Sequence, residues 1–470
     1  MNSNKFLKFL REERVIIIIC LIVFIINAAY AFYFKIQPSV DAKTYDAVAM
    51  NILEGKGFRL NLGVSASLDD VITYQGPLYQ YFLAGVYKIF GHYHEAVWMS
   101  QSLLRTLSAL MLFLICVKIF TPAPLKKFVL KDSLDLYSSV SNKKEKLAGW
   151  FAAAFFGLYP DLIEINAMLM TETLSIFSMI LVVYIFIRYF DQINFRGTFL
   201  LGFAAGMTIL VRSTVGIFLP VLIFYFLRRG TYKHLCLFLT LVVLIMTPWT
   251  IRNYFVYQSF IPTMANFGYN LWVGNHEGGD GEGAVMPEYG PVIQQYGIIG
   301  TNYYAINQFK NFVSDYPFTY IKLVASRALK YFSFVRPMGF WFYQSGISQL
   351  IFIVSSVLSS VVLFSFGFAG IFLALKKERE NSQLIYLITF AFLTCLSVIL
   401  ILIESRYRLP IYPFMAIFAG FFITRFVAAR KVYFRYLLTA FIVLFFFSMI
   451  NVALEFNKIM DKLGQILYKS

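Results

Sequence analysis

The stretch VIIIICLIVFIINAAYAFYF, residues 15–34, runs for twenty residues without a charge. As a helix it rises about 30 Å, the thickness of a bilayer's hydrocarbon core. Comparable runs recur to the end of the chain. Of its 470 residues 59% are hydrophobic and only 14% charged, and its mean hydropathy is +0.67. A soluble domain of this size has no interior large enough to hide so much apolar surface. The sequence reads as an all-α polytopic membrane protein.

The run at 15–34 follows Lys5, Lys8, Arg11 and Arg14, and its Ala29-Tyr30-Ala31 resembles a signal-peptidase site. The apolar run continues past that tripeptide and later segments anchor the chain, so a retained first helix is expected. Ten further spans are read at 97–117, 147–160, 170–187, 198–212, 214–227, 235–251, 350–375, 384–403, 409–424 and 433–452, about 11 in all. With the N-terminus in the cytoplasm, four basic loops fall on the cytoplasmic side, as the positive-inside rule asks. They carry Lys126, Lys127, Lys131, Lys143, Lys144 and Lys146; Arg228, Arg229 and Lys233; Lys376, Lys377 and Arg379; and Arg425, Arg430, Lys431 and Arg435. The net charge is +16, and because the basic residues cluster between apolar runs it points to lipid headgroups and not to nucleic acid. Cys20, Cys116, Cys236 and Cys395 all lie inside apolar runs and match no disulfide framework.

The same threading puts two long loops, 35–96 and 252–346, and a short tail, 453–470, on the extracytoplasmic side of a single domain spanning 1–470. Within the loops, GPLYQYFLAGVYKIFG (76–91) and FTYIKLVASRALKYFSF (318–334) are too short or too charged to span and suit helices lying in the interface. EGGDGEG (277–283) reads as a flexible turn.

Unusual polar residues gather at that same outer level. Asp41 and Asp46 follow the first span, Asp161 and Glu164 lie in a turn, and Glu172 opens a span. Arg212 and Arg252 end spans, and Glu404, Arg406 and Arg408 share the turn ESRYRLPIYP. An acid at the membrane edge is costly and raises a functional question, and arginine's planar fork suits phosphate oxygens. Bland readings stand beside each. Arg212 and Arg252 could snorkel, the Glu404–Arg408 group could be a structural ion cluster, Asp161 could cap a helix, and Asp46 could be a solvated acid. His92 and His94 have metal-like spacing, but no companion Cys or His cluster accompanies them. His276, with Glu277 and Asp280, lacks a calcium-loop pattern. No Walker lysine or nucleophile elbow is present.

Taken in order, DAKTYDAVAMNILEGKGF, YQGPLYQYFLAGVYKIFG, PDLIEINAMLMTETL, PWTIRNYFVYQSFIPTMANFGYNLWVGN and ESRYRLPIYPFMAIFAGFF resemble segments of the GT-C membrane glycosyltransferases. The similarity is to the protein O-mannosyltransferase-like group, glycosyltransferase family 39, and to the lipid A aminoarabinose transferases. It implies a GT-C-like helical bundle with an extracytoplasmic active site under the first loop and a polyprenyl-phosphate-linked sugar as donor. The family's first-loop aspartate falls on Asp41, as base or metal-linked carboxylate, with Tyr45 and Asp46 beside it. Some relatives have a second acid next to that aspartate, where this chain has Ala42. The aminoarabinose transferases have a lysine where this chain has Gln75, so their particular donor is not implied. Glu172 falls on an acidic position shared with some relatives.

The chemistry fits one carboxylate and several guanidiniums. A lipid phosphate leaves as a stable anion and needs charge stabilisation, not the second acid of a glycoside hydrolase. Asp41 would take the proton of an acceptor hydroxyl in an inverting displacement. Arg406, Arg408, Arg252 and Arg212 would hold the phosphate, optionally with a divalent metal ion on Asp41, Asp161 or Glu172. Glycan, lipid and protein acceptors are all compatible. The alternatives are a polysaccharide ligase or polymerase, expected to carry Arg and His in the late loop, and a lipid-linked-sugar flippase, expected to show inverted repeats and midplane polar residues.

Overall fold

The computed structural model describes residues 13–73, 76–120, 143–283, 286–335, 346–378 and 380–468. Lys5, Lys8, Arg11, Gln75, Lys126, Lys127, Lys131 and Arg379 lie outside them. Among the described residues the chain is helical, with no strand and a single parallel bridge between Glu282 and Ile403. Eight helices are long and apolar enough to cross a membrane: α1 (Arg14–Phe34), α2 (His94–Phe120), α3 (Thr171–Tyr189), α4 (Tyr232–Tyr257), α5 (Gly346–Lys377), α6 (Ser382–Ile399), α7 (Tyr412–Ala428, continuing a 3₁₀ turn Ser405–Ile411) and α8 (Arg430–Leu454). The protein is a multi-pass membrane protein. The three other spans read from the sequence, 147–160, 198–212 and 214–227, fall on shorter apolar helices, Lys143–Gly157, Phe195–Val211 and Leu219–Arg228.

The helix α7 is the axle. Every residue from Tyr412 to Thr424 is buried, and it packs against α5 on one side and Lys143–Gly157 on the other. Apolar attraction does not favour helix over lipid, so close backbone approach must supply the contact. Gly370 provides one such point, where a Cβ would sit 2.1 Å from the Phe418 carbonyl oxygen. Around this centre, α1, α4 and α8 turn most of their surface outward as Leu, Ile, Val and Phe, a lipid-facing shell. At one end of the bundle the basic residues are tied down: Lys146 pairs with Glu13, Lys118 with Asp191 at 3.1 Å, and Lys377 donates to the Tyr433 hydroxyl at 2.6 Å.

The opposite end is covered by the two loops. The two loop segments read as helices are helical, over Leu78–Phe90 and Pro317–Phe332. A further loop helix, Asp41–Leu53, buries Ala42, Tyr45, Val48 and Ala49 as one stripe, and Phe267–Gly274 and Tyr289–Asp315 fill the late loop. The span read at 384–403 stops at Ile399. Residues 400–403 leave the helix because the late loop takes their polar groups: the Ile403 N–H donates to the Gly281 carbonyl at 3.1 Å.

Candidate active site

Asp41 is the first residue of its loop helix, where free N–H groups make negative charge welcome. Val40, just before it, has φ +46°, a conformation a β-branched residue seldom adopts, and such strain tends to persist where a side chain must be aimed. The Asp41 carboxylate accepts from Arg406 Nη1 at 2.7 Å, and Arg406 Nε donates to Glu404 at 2.9 Å. One guanidinium therefore bridges the carboxylate of its near neighbour Glu404 and that of Asp41, 365 residues away along the chain. All three side chains keep some exposure and line a cavity of about 240 Å³, together with Gln37, Ser39 and Met170.

A second ion pair lies behind the first. Arg212 Nη1 donates to Glu172 at 3.1 Å, with both side chains buried. The Tyr407 ring sits between the two guanidiniums, 5.4 Å from that of Arg212 and 5.6 Å from that of Arg406. Arg212 and Tyr407 face a larger cavity of about 620 Å³, walled chiefly by apolar side chains such as Met179, Phe218 and Leu402. The segment 402–410 thus serves both cavities, Glu404 and Arg406 facing the smaller and Leu402, Tyr407 and Pro410 the larger. Tyr45 is buried beside Asp41 and Glu172. Burial first, then these two carboxylates, pushes its hydroxyl well above the usual phenol range.

The late loop holds this segment in place. Arg327 is fully buried. It donates to the carbonyls of Ile399 (2.7 Å), Gly274 (2.8 Å) and Ile401 (3.0 Å), and to the Asn275 side chain (2.9 Å). Gly274 permits the approach, since a Cβ there would meet the Ile401 oxygen at 2.1 Å. Charge pattern alone makes Arg327 look like a rim residue of an interfacial helix, so its role was invisible in the sequence. Tyr407 lies within the turn Ser405–Ile411, and no local pattern marks it as the ring between two guanidiniums.

Other sequence candidates sit elsewhere. Arg408 does not join Arg406. In a 3₁₀ turn side chains two apart point in different directions, and Arg408 is buried in the bundle against the Phe364 ring. Arg252 lines neither cavity. Its guanidinium donates to the Phe58 carbonyl at 2.9 Å and stacks among Phe58, Trp249 and Tyr257, stitching the first loop to α4. Asp161 is buried and accepts from Ser356 and from Tyr412. Asp41, Asp161 and Glu172 are consequently not gathered as a ligand set. Among the described residues the one group of three or more metal-type side chains is Asp46, His92 and His94. Gln75 falls outside the described residues.

No protein-family model matches the chain, and no curated protein does. Two solved structures are similar in shape. One is ArnT from Cupriavidus metallidurans bound to undecaprenyl phosphate, with a TM-score of 0.48 and 14% identity, covering 87% of this chain. This chain spans 59% of that protein's length. The other is the same protein in its apo state, with a TM-score of 0.37 and 13% identity, covering 89% of this chain and 78% of that one. At these values the likeness assigns neither a family nor an activity to this chain.

Proposed function

We propose that this membrane protein is a GT-C-type glycosyltransferase. It would move a sugar from a polyprenyl-phosphate donor to an acceptor hydroxyl at the extracytoplasmic face, with inversion at the anomeric carbon. The single observation that carries the reading is the pair of cavities on either side of segment 402–410, one apolar with Arg212 at its edge, the other holding Asp41 and Arg406. An isoprenoid tail suits the first, and a sugar and its incoming hydroxyl suit the second. The ordered motif resemblance supports the same reading.

In the structure Arg406 is paired with Asp41 and Glu404. An arriving phosphate competes for that guanidinium, and a bidentate phosphate contact is a strong one. As Arg406 turns toward the phosphate, Asp41 loses its ion-pair partner and becomes available as a base. The acceptor oxygen then forms a bond to the anomeric carbon while the bond from that carbon to the phosphate oxygen breaks. The hydroxyl proton passes to Asp41 and polyprenyl phosphate departs as an anion held by Arg406. Arg212, neutralised by Glu172, fixes Tyr407 and the floor of the site.

The test is direct. Purified protein in liposomes is given a polyprenyl-phosphate sugar and membranes from a strain lacking the gene as acceptor, and released polyprenyl phosphate is followed by mass spectrometry. Release coupled to sugar incorporation supports the reading. No release across hexosyl and pentosyl donors, with folded protein, argues against it.

A further inference from the structure

Asp46 lies five residues beyond Asp41 on the same helix, about 140° around its axis, and so faces different partners. Asp46 Oδ1 is 3.0 Å from His92 Nε2 and 3.5 Å from His94 Nε2. All three candidate ligand atoms lie within 4.8 Å of one another. A tetrahedral ion with bonds of about 2.0–2.1 Å holds its ligand atoms about 3.3–3.4 Å apart, so both contacts already span close to one edge of such a site. Tyr87 donates its hydroxyl to the same carboxylate, the kind of outer hydrogen bond that orients a ligating group. The His92 side chain is 41% exposed, which leaves the cluster open to water and to an entering ion.

We propose that Asp46, His92 and His94 form a binding site for a divalent transition-metal ion of the zinc class, with water completing the coordination shell. Two imidazoles and one carboxylate suit zinc or cobalt, whereas magnesium and calcium ask for oxygen ligands throughout. Both ring Nε2 atoms must be free of protons to ligate, so binding weakens as pH falls and the imidazoles protonate. The ion fastens the helix carrying Asp41 to the head of α2, whose first residue is His94. The histidine spacing was visible in the sequence; the carboxylate that completes the set is 46 residues upstream of His92 and comes near only through the fold. This site does not depend on the transfer reaction proposed above.

The experiment uses the full-length protein in detergent, stripped with a chelator and dialysed against cobalt. Metal content and the visible absorption of bound cobalt are the readouts, with zinc as competitor. One ion per chain is expected, with the absorption of a tetrahedral site and no displacement by magnesium. His92→Ala should weaken binding at least tenfold, as loss of a ligand contact does elsewhere, and Asp46→Asn should abolish the spectrum. His276→Ala, altering a histidine in the late loop, should leave both unchanged. His92 is exposed enough for its substitution to leave folding intact, and gel filtration checks this. Well under one ion per chain in the unaltered protein, or the same content and spectrum in His92→Ala, would overturn the proposal in favour of a purely hydrogen-bonded clasp.

Discussion

Replacing Arg406 by lysine keeps the charge and removes the fork. In the structure the guanidinium makes two charge-assisted bonds, 2.7 Å to Asp41 and 2.9 Å to Glu404. A lysine ammonium on a flexible stem can keep one of these and not both in the same geometry. A hydrogen bond to a charged group contributes about 1.5–3 kcal/mol. The side chains of Arg406 and Glu404 are 17% and 35% exposed, so solvent screening reduces the loss to about 1–2 kcal/mol. If the same fork grips the donor phosphate in the transition state, that loss lowers kcat/KM for the donor by roughly 5- to 30-fold. The assay is donor-dependent sugar transfer in liposomes, with donor and acceptor concentrations varied separately. The acceptor KM should move little. A donor kcat/KM within twofold of the unaltered protein, in folded Arg406→Lys, would refute the reasoning and leave Arg406 as a structural ion pair.

Arg327→Met tests the support beneath the site. Removing the guanidinium takes a charged donor away from three carbonyls and the Asn275 side-chain oxygen in a buried position, at a cost of about 3–5 kcal/mol. A thermal-unfolding midpoint equal to that of the unaltered protein would contradict this. The C-terminal helix Phe456–Tyr468 reaches the late loop through Lys458 and Asp280. Burial raises the Asp280 carboxyl, but the Lys458 hydrogen bond, the Glu282 N–H and the charge of Lys330 outweigh it and bring it to about 2, from an ordinary 3.8. A depressed acid stabilises the folded state above its ordinary value and loses that contribution as pH falls through the folded one. Hydrogen exchange at 456–468 should therefore quicken as pH drops from about 4 toward 2, beyond the intrinsic pH dependence and beyond any change in Asp280→Asn; parallel profiles for the two proteins would exclude the clasp.

The membrane spans were legible because an uncharged run of some twenty residues is a local property of the chain. The shorter apolar helices Phe195–Val211 and Leu219–Arg228 were equally visible as apolar runs, but the 3₁₀ turn Ser213–Phe218 that separates them was not. Asp41 and Arg406 could be assigned to one membrane face by counting spans, yet nothing local says that residues 365 apart touch. Arg408 illustrates the limit most sharply. Its type and spacing match Arg406, and only the 3₁₀ geometry of the turn decides that one lines a cavity and the other is buried. Asp46 read as a solvated acid because its histidine partners lie beyond an intervening helix. Arg327, on a short helix whose charged residues are all basic, read as interfacial because the carbonyls it gathers come from distant segments, Gly274 and Ile399 to Ile401.

The central claim is that Asp41 acts as a base once the donor phosphate has drawn Arg406 away. Asp41→Asn keeps the shape and a hydrogen-bond acceptor for Arg406 while removing the basicity. The most direct measurement follows that variant in liposomes, recording donor binding and single-turnover sugar transfer side by side. The account predicts that the donor still binds, within a few-fold, while transfer falls by a factor on the order of 10²–10⁴, the usual range for losing a general base. Transfer at the rate of the unaltered protein would contradict it.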